Sequence, residues 1–231
     1  QRCKKIITVS NFECNRIREA LELPQNLLKA VYNGYSPHFR PLSPAPEITH
    51  KYIPADNYLF FLGNTDPKKN TPRVLRAYSR YLQKSKCKRS LLIADLKEDA
   101  IDKILSTEGI AEIKPYLSFP GYIPNTDLPA LYNGAFAFLY PSLRESFGIP
   151  MLESMACGTP IIAGNTSAMP EIAGEGALLA NPLDENDITQ KLLLLEEDEN
   201  FYYQQVNYGL ERVKQFSWRK SAEALQKIYL L

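Results

Sequence analysis

Two segments of the sequence combine residue types that could bind a phosphorylated sugar. The first, residues 63–70, carries Lys68 and Lys69 just before a predicted helix. A lysine close to the unsatisfied amides at a helix N-terminus adds positive charge where a phosphate can bind. This pattern alone is weak evidence for a phosphate site, because a solvated loop can have the same composition.

The second segment, residues 140–160, predicts a loop followed by a helix that begins near Gly148. Pro150 suits the first helical turn, and Gly158 suits the end of the helix. At about 100° per residue, the core-facing arc comprises Met151, Leu152, Met155 and Ala156. Glu153 falls just outside this arc, and Glu145 lies in the loop before the helix. The two carboxylates could bind hydroxyls of a ribose and a hexose on either side of a diphosphate, although isolated glutamates are more often simply exposed.

The elements that position these segments follow from alternating sequence patterns. Short apolar runs at 58–62, 90–94, 117–119, 135–140, 159–163 and 177–180 predict strands, and residues 71–84, 97–106, 126–133, 149–157 and 169–173 predict helices. Continuous apolar runs are typical of strands covered on both faces, and their alternation with helices indicates right-handed crossovers. The prediction is an α/β fold with a doubly wound, Rossmann-like parallel sheet and a helical C-terminus. Ligands of such sheets bind beyond the carboxyl ends of the strands, where both segments lie.

The chain before residue 56 has a different character. Residues 1–35 predict a strand, a helix and a second strand, and residues 36–54 contain five prolines with little periodicity. We therefore predict that residues 1–35 are the end of a preceding domain, 36–55 a linker, and 56–231 a ligand-binding domain. A first residue other than methionine also suggests a fragment of a longer protein.

Composition excludes several classes of function. With 27 Lys and Arg against 26 Asp and Glu, the chain has no electrostatic basis for nucleic-acid binding. No run approaches the roughly 18 apolar residues of a membrane helix. The four cysteines, Cys3, Cys14, Cys87 and Cys157, lack the spacing of a metal site or a disulfide framework. We expect a reduced, cytoplasmic protein without a structural metal.

The run from Glu145 to Glu153, with seven residues between the glutamates, resembles the E-x7-E motif of retaining nucleotide-sugar glycosyltransferases of the group 1 (family 4) type. Other segments are similar to that family in order and spacing: 7–10, 31–34, 121–124, 128–132, 158–163, 168–171 and 216–218. The resemblance covers essentially the whole chain. It implies the GT-B fold of two facing Rossmann-like domains, of which this chain would be the C-terminal, donor-binding half.

The resemblance also implies roles for individual residues. Glu145 would bind the transferred sugar and Lys69 the diphosphate, and these two would be the catalytic residues. Glu153 would bind the ribose. The remaining donor contacts would come from Gly63, Asn64, Lys68, Ile123, Ser142, Ser146, Phe147, Gly148 and Ile149. Of these, Ile123 matches a base-contacting position, whereas Asn64 stands where the family often has arginine. Glu145 could instead be a nucleophile, but that role needs a second carboxyl about 5 Å away, and Glu153 should lie farther off.

The function implied is transfer of a hexose from GDP-mannose or a UDP-hexose, with retention of configuration and without a metal or other cofactor. The acceptor would be a glycan or lipid-linked sugar of polysaccharide biosynthesis, bound by an N-terminal domain that these residues lack. The chain alone should therefore transfer nothing, and the full-length protein could touch the inner face of the membrane. Two alternatives stay open: a nucleotide-binding regulatory module without chemistry, and a fragment of a GT-B sugar-nucleotide epimerase.

Overall fold

The computed structural model describes residues 4–230, so Cys3 lies outside the described residues. The strands are β1 (Ile6–Thr8), β2 (Leu28–Ala30), β3 (Tyr58–Leu62), β4 (Leu91–Ala94), β5 (Leu117–Gly121), β6 (Ala135–Tyr140), β7 (Ile161–Gly164) and β8 (Leu178–Ala180). The helices are α1 (Asn11–Ala20), α2 (Pro46–Thr49), α3 (Thr71–Lys84), α4 (Glu98–Glu108), α5 (Leu128–Gly134), α6 (Ile149–Cys157), α7 (Met169–Ala173), α8 (Glu185–Glu197), α9 (Glu199–Val213) and α10 (Trp218–Tyr229).

Six parallel strands form the main sheet in the order β5-β4-β3-β6-β7-β8. The chain builds outward from β3 to β5, then crosses back and continues from β6 to β8. This is the doubly wound order, and it reverses between β3 and β6. Those two strands are direct neighbours, with Phe60 beside Phe138 in the register. The predicted α/β fold with a parallel sheet and a helical C-terminus is confirmed.

The core lies on both faces of this sheet. Phe60 and Phe138 pack into the cluster on one face, and Leu59 and Phe61 pack into the cluster on the other. All four side chains are fully or almost fully buried. Two-sided burial explains why these strands read as continuous apolar runs.

Some element ends differ from the sequence-based prediction. Helix α4 continues two residues beyond 106 because Gly109, at φ 67°, supplies the left-handed end of the helix. In the helical C-terminus, α8 begins at Glu185, where the Asp184 side chain accepts hydrogen bonds from the Asn186 and Asp187 amides. No helix within residues 4–230 is both long enough and apolar enough to span a bilayer.

Residues 36–55, the predicted linker, pack against the sheet domain. The segment contains α2, and its Phe39 and Ile53 side chains are buried in the core. Asn133 on α5 accepts a hydrogen bond from the Leu42 amide at 2.8 Å and donates one to the Arg40 carbonyl at 3.0 Å. The division into domains stays a prediction, but this segment is held along its length.

The N-terminal strand–helix–strand unit is docked on the sheet domain through Glu171 of α7. Strands β1 and β2 pair in parallel, and α1 crosses between them. The Glu171 carboxylate accepts hydrogen bonds from the Asn11 and Phe12 amides at 2.8 and 2.9 Å and from the Tyr32 hydroxyl at 2.6 Å. The Asn11 and Phe12 amides belong to the first turn of α1, where backbone N–H groups have no carbonyl acceptor within the helix. This carboxylate therefore caps two amides of α1, while the Ser10 side chain accepts from a third, that of Glu13.

We expect Glu171→Ala to loosen α1. Removal of a side chain that caps a helix typically costs about 1 kcal/mol, so amide hydrogen exchange in residues 14–20 should accelerate about fivefold. Exchange measured by mass spectrometry checks this. Glu175→Ala, at an exposed glutamate nearby, is the control and should leave the same amides unchanged. Equal exchange in the two variants would contradict the docking role.

Candidate active site

The loops after β3 and β6 are joined where the two strands end. The Leu143 amide donates a hydrogen bond to the Lys68 carbonyl at 2.8 Å. Asn70, almost fully buried, donates through its side-chain amide to the carbonyls of Pro141 at 3.0 Å and Pro182 at 2.6 Å. Its backbone is left-handed, with φ of 61°, a conformation that asparagine tolerates better than most residues. The two predicted ligand-binding segments are therefore fixed to each other.

Lys69 and Glu145 form an ion pair across this junction. Lys69 Nζ lies 2.9 Å from Glu145 Oε1, and the two side chains are 23% and 19% exposed. The ammonium also lies 5.1 Å from the centre of the Tyr140 ring. Burial, followed by the charge of Glu145, raises the pKa of Tyr140, so this phenol stays neutral.

The backbone of Glu145 is held by the loop after β7. Its amide donates to Ser167 Oγ at 3.0 Å, and its carbonyl accepts from the Ala168 amide at 3.3 Å. Three strand-end loops therefore position this carboxylate.

A crevice of about 240 Å³ opens between these loops, lined by Lys68, Arg144, Glu145 and Ser146. Its walls are polar and carry both signs of charge. Pockets for whole small-molecule ligands usually occupy roughly 300–1,000 Å³. The crevice would therefore hold only part of a ligand, such as a phosphate or a sugar ring.

Helix α6 starts next to this crevice and has no side-chain cap at its N-terminus. Gly148 precedes it at φ 94°, and a Cβ there would lie 2.8 Å from Met151 Cε. Ile149 begins the helix, whose first amides lack helical partners and carry partial positive charge. The Phe147 ring packs 6.0 Å from both Tyr32 and Phe216, so it belongs to the core.

Glu153 lies on the same helix in a different environment. The Tyr132 hydroxyl donates a hydrogen bond to Glu153 Oε2 at 3.2 Å. Burial raises the pKa of Glu153 to about 7, although the hydrogen bond from Tyr132 opposes that rise. The core-facing arc predicted for α6 is confirmed, since Met151, Leu152, Met155 and Ala156 are all buried.

Gly63 and Asn64 shape the loop after β3. A Cβ at Gly63 would lie 2.2 Å from the Phe61 ring of β3, so packing against that side chain already accounts for this glycine. The Asn64 side chain accepts a hydrogen bond from the Asp66 amide at 2.8 Å, and the Asn64 backbone carbonyl accepts one from the Thr71 hydroxyl at 2.7 Å. Both residues adjoin the site, but these contacts are with the loop itself and the adjacent ends of β3 and α3.

Three other predicted donor contacts are less available to a ligand. Ile123, at the end of β5, is 4% exposed and belongs to the core, and Ser142 is 1% exposed. The Ser146 hydroxyl donates to Glu13 Oε1 at 2.9 Å. The structure thus brings Lys68, Lys69, Glu145 and the start of α6 together, whereas the side chains of Ile123 and Ser142 are buried.

Neither Arg144 nor Glu13 is among the site residues predicted from the sequence. Arg144 directly precedes Glu145, and that adjacency was an available signal. Glu13 lies 133 positions before Ser146, and no local pattern connects them. Within residues 4–230, no three His, Cys, Asp or Glu side chains converge as metal ligands.

Comparison with known families gives a match over most of the chain. The model of the family described as "Glycosyl transferases group 1" matches residues 49–212. O-antigen chain mannosyltransferase B of Escherichia coli is 30% identical over 233 residues, which cover 99% of this chain and 61% of that protein. The chain thus spans less than two thirds of that relative.

Solved structures share the fold at lower identity. HepE of Anabaena, in complex with UDP and glucose, superposes with a TM-score of 0.83 at 16% identity, covering 99% of this chain and 64% of that one. Sucrose-phosphate synthase of Thermosynechococcus elongatus gives a TM-score of 0.81 at 22% identity, with coverage of 96% and 57%. The predicted GT-B architecture is confirmed by this agreement with glycosyltransferase structures.

The raised pKa of Glu153 predicts that its carboxyl costs stability at high pH. Between pH 4.5, the ordinary pKa, and about 7, the folded protein binds more protons than the unfolded chain. The free energy of unfolding therefore falls as pH rises through that window. Glu153→Gln should therefore be more stable than the wild type by about 3 kcal/mol above neutral pH. The difference should shrink toward zero below about pH 4.5.

Urea unfolding at several pH values measures this difference. The exposed Glu197 on α8 provides the control, and Glu197→Gln should follow the wild-type pH dependence. A constant offset between Glu153→Gln and wild type at every pH would contradict the assignment.

Proposed function

Because the chain belongs to the group 1 glycosyltransferases, we propose that its crevice, together with the adjoining Lys69 and helix α6, binds the nucleotide-sugar donor of a hexosyl transfer. The single observation that carries this proposal is the Lys69–Glu145 ion pair, 2.9 Å long, at the ends of β3 and β6. A cation and a hydroxyl-binding carboxylate meet there beside the uncapped start of α6. Such a switch point is where doubly wound sheets bind their ligands.

We assign the parts of the donor to the parts of the site. The diphosphate lies at Lys69 and the first amides of α6, which together offer a fixed charge and aligned dipoles. The transferred hexose places its hydroxyls on Glu145. The ribose places its hydroxyls on Glu153, whose carboxyl also accepts a hydrogen bond from the Tyr132 hydroxyl. The UDP and glucose bound by the Anabaena neighbour are the same classes of group.

The proposed chemistry is departure of the nucleoside diphosphate with electrostatic stabilisation. Negative charge grows on the leaving phosphate as the bond to the sugar breaks. Lys69 and the α6 amides meet that charge without reorganisation, and a single such donor commonly contributes about 3 kcal/mol. Glu145 orients the sugar while the acceptor hydroxyl oxygen bonds to the anomeric carbon from the face that the diphosphate leaves. The hydroxyl proton passes to the departing phosphate, and the anomeric configuration is retained. We propose that these groups act without a divalent metal.

For the donor, we propose GDP-mannose, with UDP-hexoses as the alternative. The mannosyltransferase relative from Escherichia coli supports mannose, and its name points to an O-antigen chain as the product. The acceptor would accordingly be a glycan or lipid-linked sugar. We propose that an additional acceptor-binding domain is required and that the complete enzyme works in the cytoplasm, with peripheral contact to the membrane.

Binding measurements on variants separate these assignments. Lys69→Ala should weaken both GDP and GDP-mannose by about tenfold or more, because a charge-assisted contact to phosphate is lost. Glu145→Gln should weaken GDP-mannose but not GDP, since only the sugar contacts this carboxylate. Isothermal titration calorimetry, with UDP and UDP-glucose in parallel, measures each affinity.

Lys84→Ala, at the exposed end of α3, is the control for loss of a lysine. Its affinities should equal those of the wild type. If Lys69→Ala and Glu153→Ala both leave every nucleotide affinity unchanged, the donor site is not in this crevice.

We also expect the 231-residue chain to bind donor without transferring sugar. The acceptor must be held over the donor by residues outside this chain, which spans 61% of the mannosyltransferase relative. Incubation with radiolabelled GDP-mannose and lipid-linked acceptors should give no labelled glycan. Labelled product formed by this chain alone would contradict the requirement for a further domain.

A further inference from the structure

Arg144 is a cation of the crevice that the assignments above leave without a role. It lines the crevice together with Lys68, Glu145 and Ser146. Its neighbour in the chain, Glu145, is bonded to Lys69. Arg144 therefore brings a positive charge from the loop after β6 into the crevice, which Lys68 lines from the loop after β3.

The present partner of Arg144 holds it loosely. Arg144 Nη2 lies 3.6 Å from Glu13 Oε1, which is beyond hydrogen-bond distance, and the arginine side chain is 47% exposed. An ion pair this long, with one partner about half exposed, contributes little net free energy. A ligand with several negative charges can therefore displace Glu13.

Glu13 does not depend on Arg144. Its Oε1 also accepts a hydrogen bond from the Ser146 hydroxyl at 2.9 Å, and its Oε2 pairs with Arg16 Nη1 at 3.2 Å. The carboxylate is only 13% exposed, yet it keeps both partners if Arg144 turns away. Release of Arg144 thus leaves no unpaired charge on α1.

From this arrangement we propose that Arg144 leaves Glu13 and binds the diphosphate of the donor. The inference rests on the proposed function of the crevice and adds a ligand contact to it. A guanidinium presents paired N–H donors that match two phosphate oxygens, whereas the lysines provide only point charges. Lys69 and Arg144 then hold the diphosphate from two sides. Glu13 competes for Arg144 and sets how readily it is released.

Calorimetric titration of GDP and of guanosine into variants of the chain tests this role. Arg144→Ala should weaken GDP by about tenfold and leave guanosine unchanged, because only the phosphates are contacted. Arg144→Lys should recover part of the loss. Glu13→Gln keeps an acceptor for Ser146 but removes the competing charge, so it should bind GDP at least as tightly as wild type.

Arg16 offers a matched control for this experiment. It pairs with the same carboxylate and is 43% exposed, compared with 47% for Arg144, but it does not line the crevice. Arg16→Ala should bind GDP as the wild type does. If Arg144 only tied α1 to the loop after β6, Arg144→Ala and Arg16→Ala would have the same melting temperature and the same GDP affinity. That result would overturn the inference.

The outcomes separate this inference from the proposal on which it rests. Unchanged GDP affinity in Arg144→Ala, with a loss in Lys69→Ala, would overturn the role of Arg144 and leave the donor site standing. Unchanged affinity in both variants would overturn the donor site as well. Equal losses of GDP and guanosine affinity in Arg144→Ala would show a general disturbance of the loop and would also overturn the inference.

Discussion

The adjacency of β3 and β6 is the constraint on which the site depends. Because the sheet is built outward in both directions from this pair, the loops that follow the two strands emerge side by side. Lys69 and Glu145 can then form a bond of 2.9 Å although they lie 76 positions apart. Each charge compensates the other in a partly buried place where either alone would be costly. Loss of either partner would therefore leave an uncompensated charge at the junction.

The charges around the crevice are balanced in pairs. Lys69 faces Glu145 at 2.9 Å, Lys68 faces Asp66 at 3.6 Å, and Arg144 faces Glu13 at 3.6 Å. This balance explains how several cations can be close together without destabilising the fold by mutual repulsion. The two outer pairs are longer and their cations are about half exposed or more, so under the proposed function little would be lost if a phosphate replaced a carboxylate.

Local signals in the sequence were sufficient for the sheet and for α6. Strand β3 was predictable because its side chains are buried on both faces, and α6 was predictable because Gly148, Pro150 and Gly158 mark its ends. The contact of Arg144 with Glu13 was not predictable, because the two residues are far apart in the sequence and no periodic pattern connects them. For the same reason, the burial of Ile53 in a proline-rich segment was missed.

The two glutamates of the motif lie in different surroundings. Glu145 pairs with a lysine at the open crevice, whereas Glu153 faces the buried Tyr132 hydroxyl and has a pKa of about 7. Under the proposed donor orientation, a second full negative charge near the diphosphate would oppose binding. Burial of Glu153 lessens this repulsion by keeping part of the population protonated near neutral pH, and a carboxyl in either state can still hydrogen-bond to ribose hydroxyls. Under the proposed orientation, one residue type would serve two ends of the same ligand.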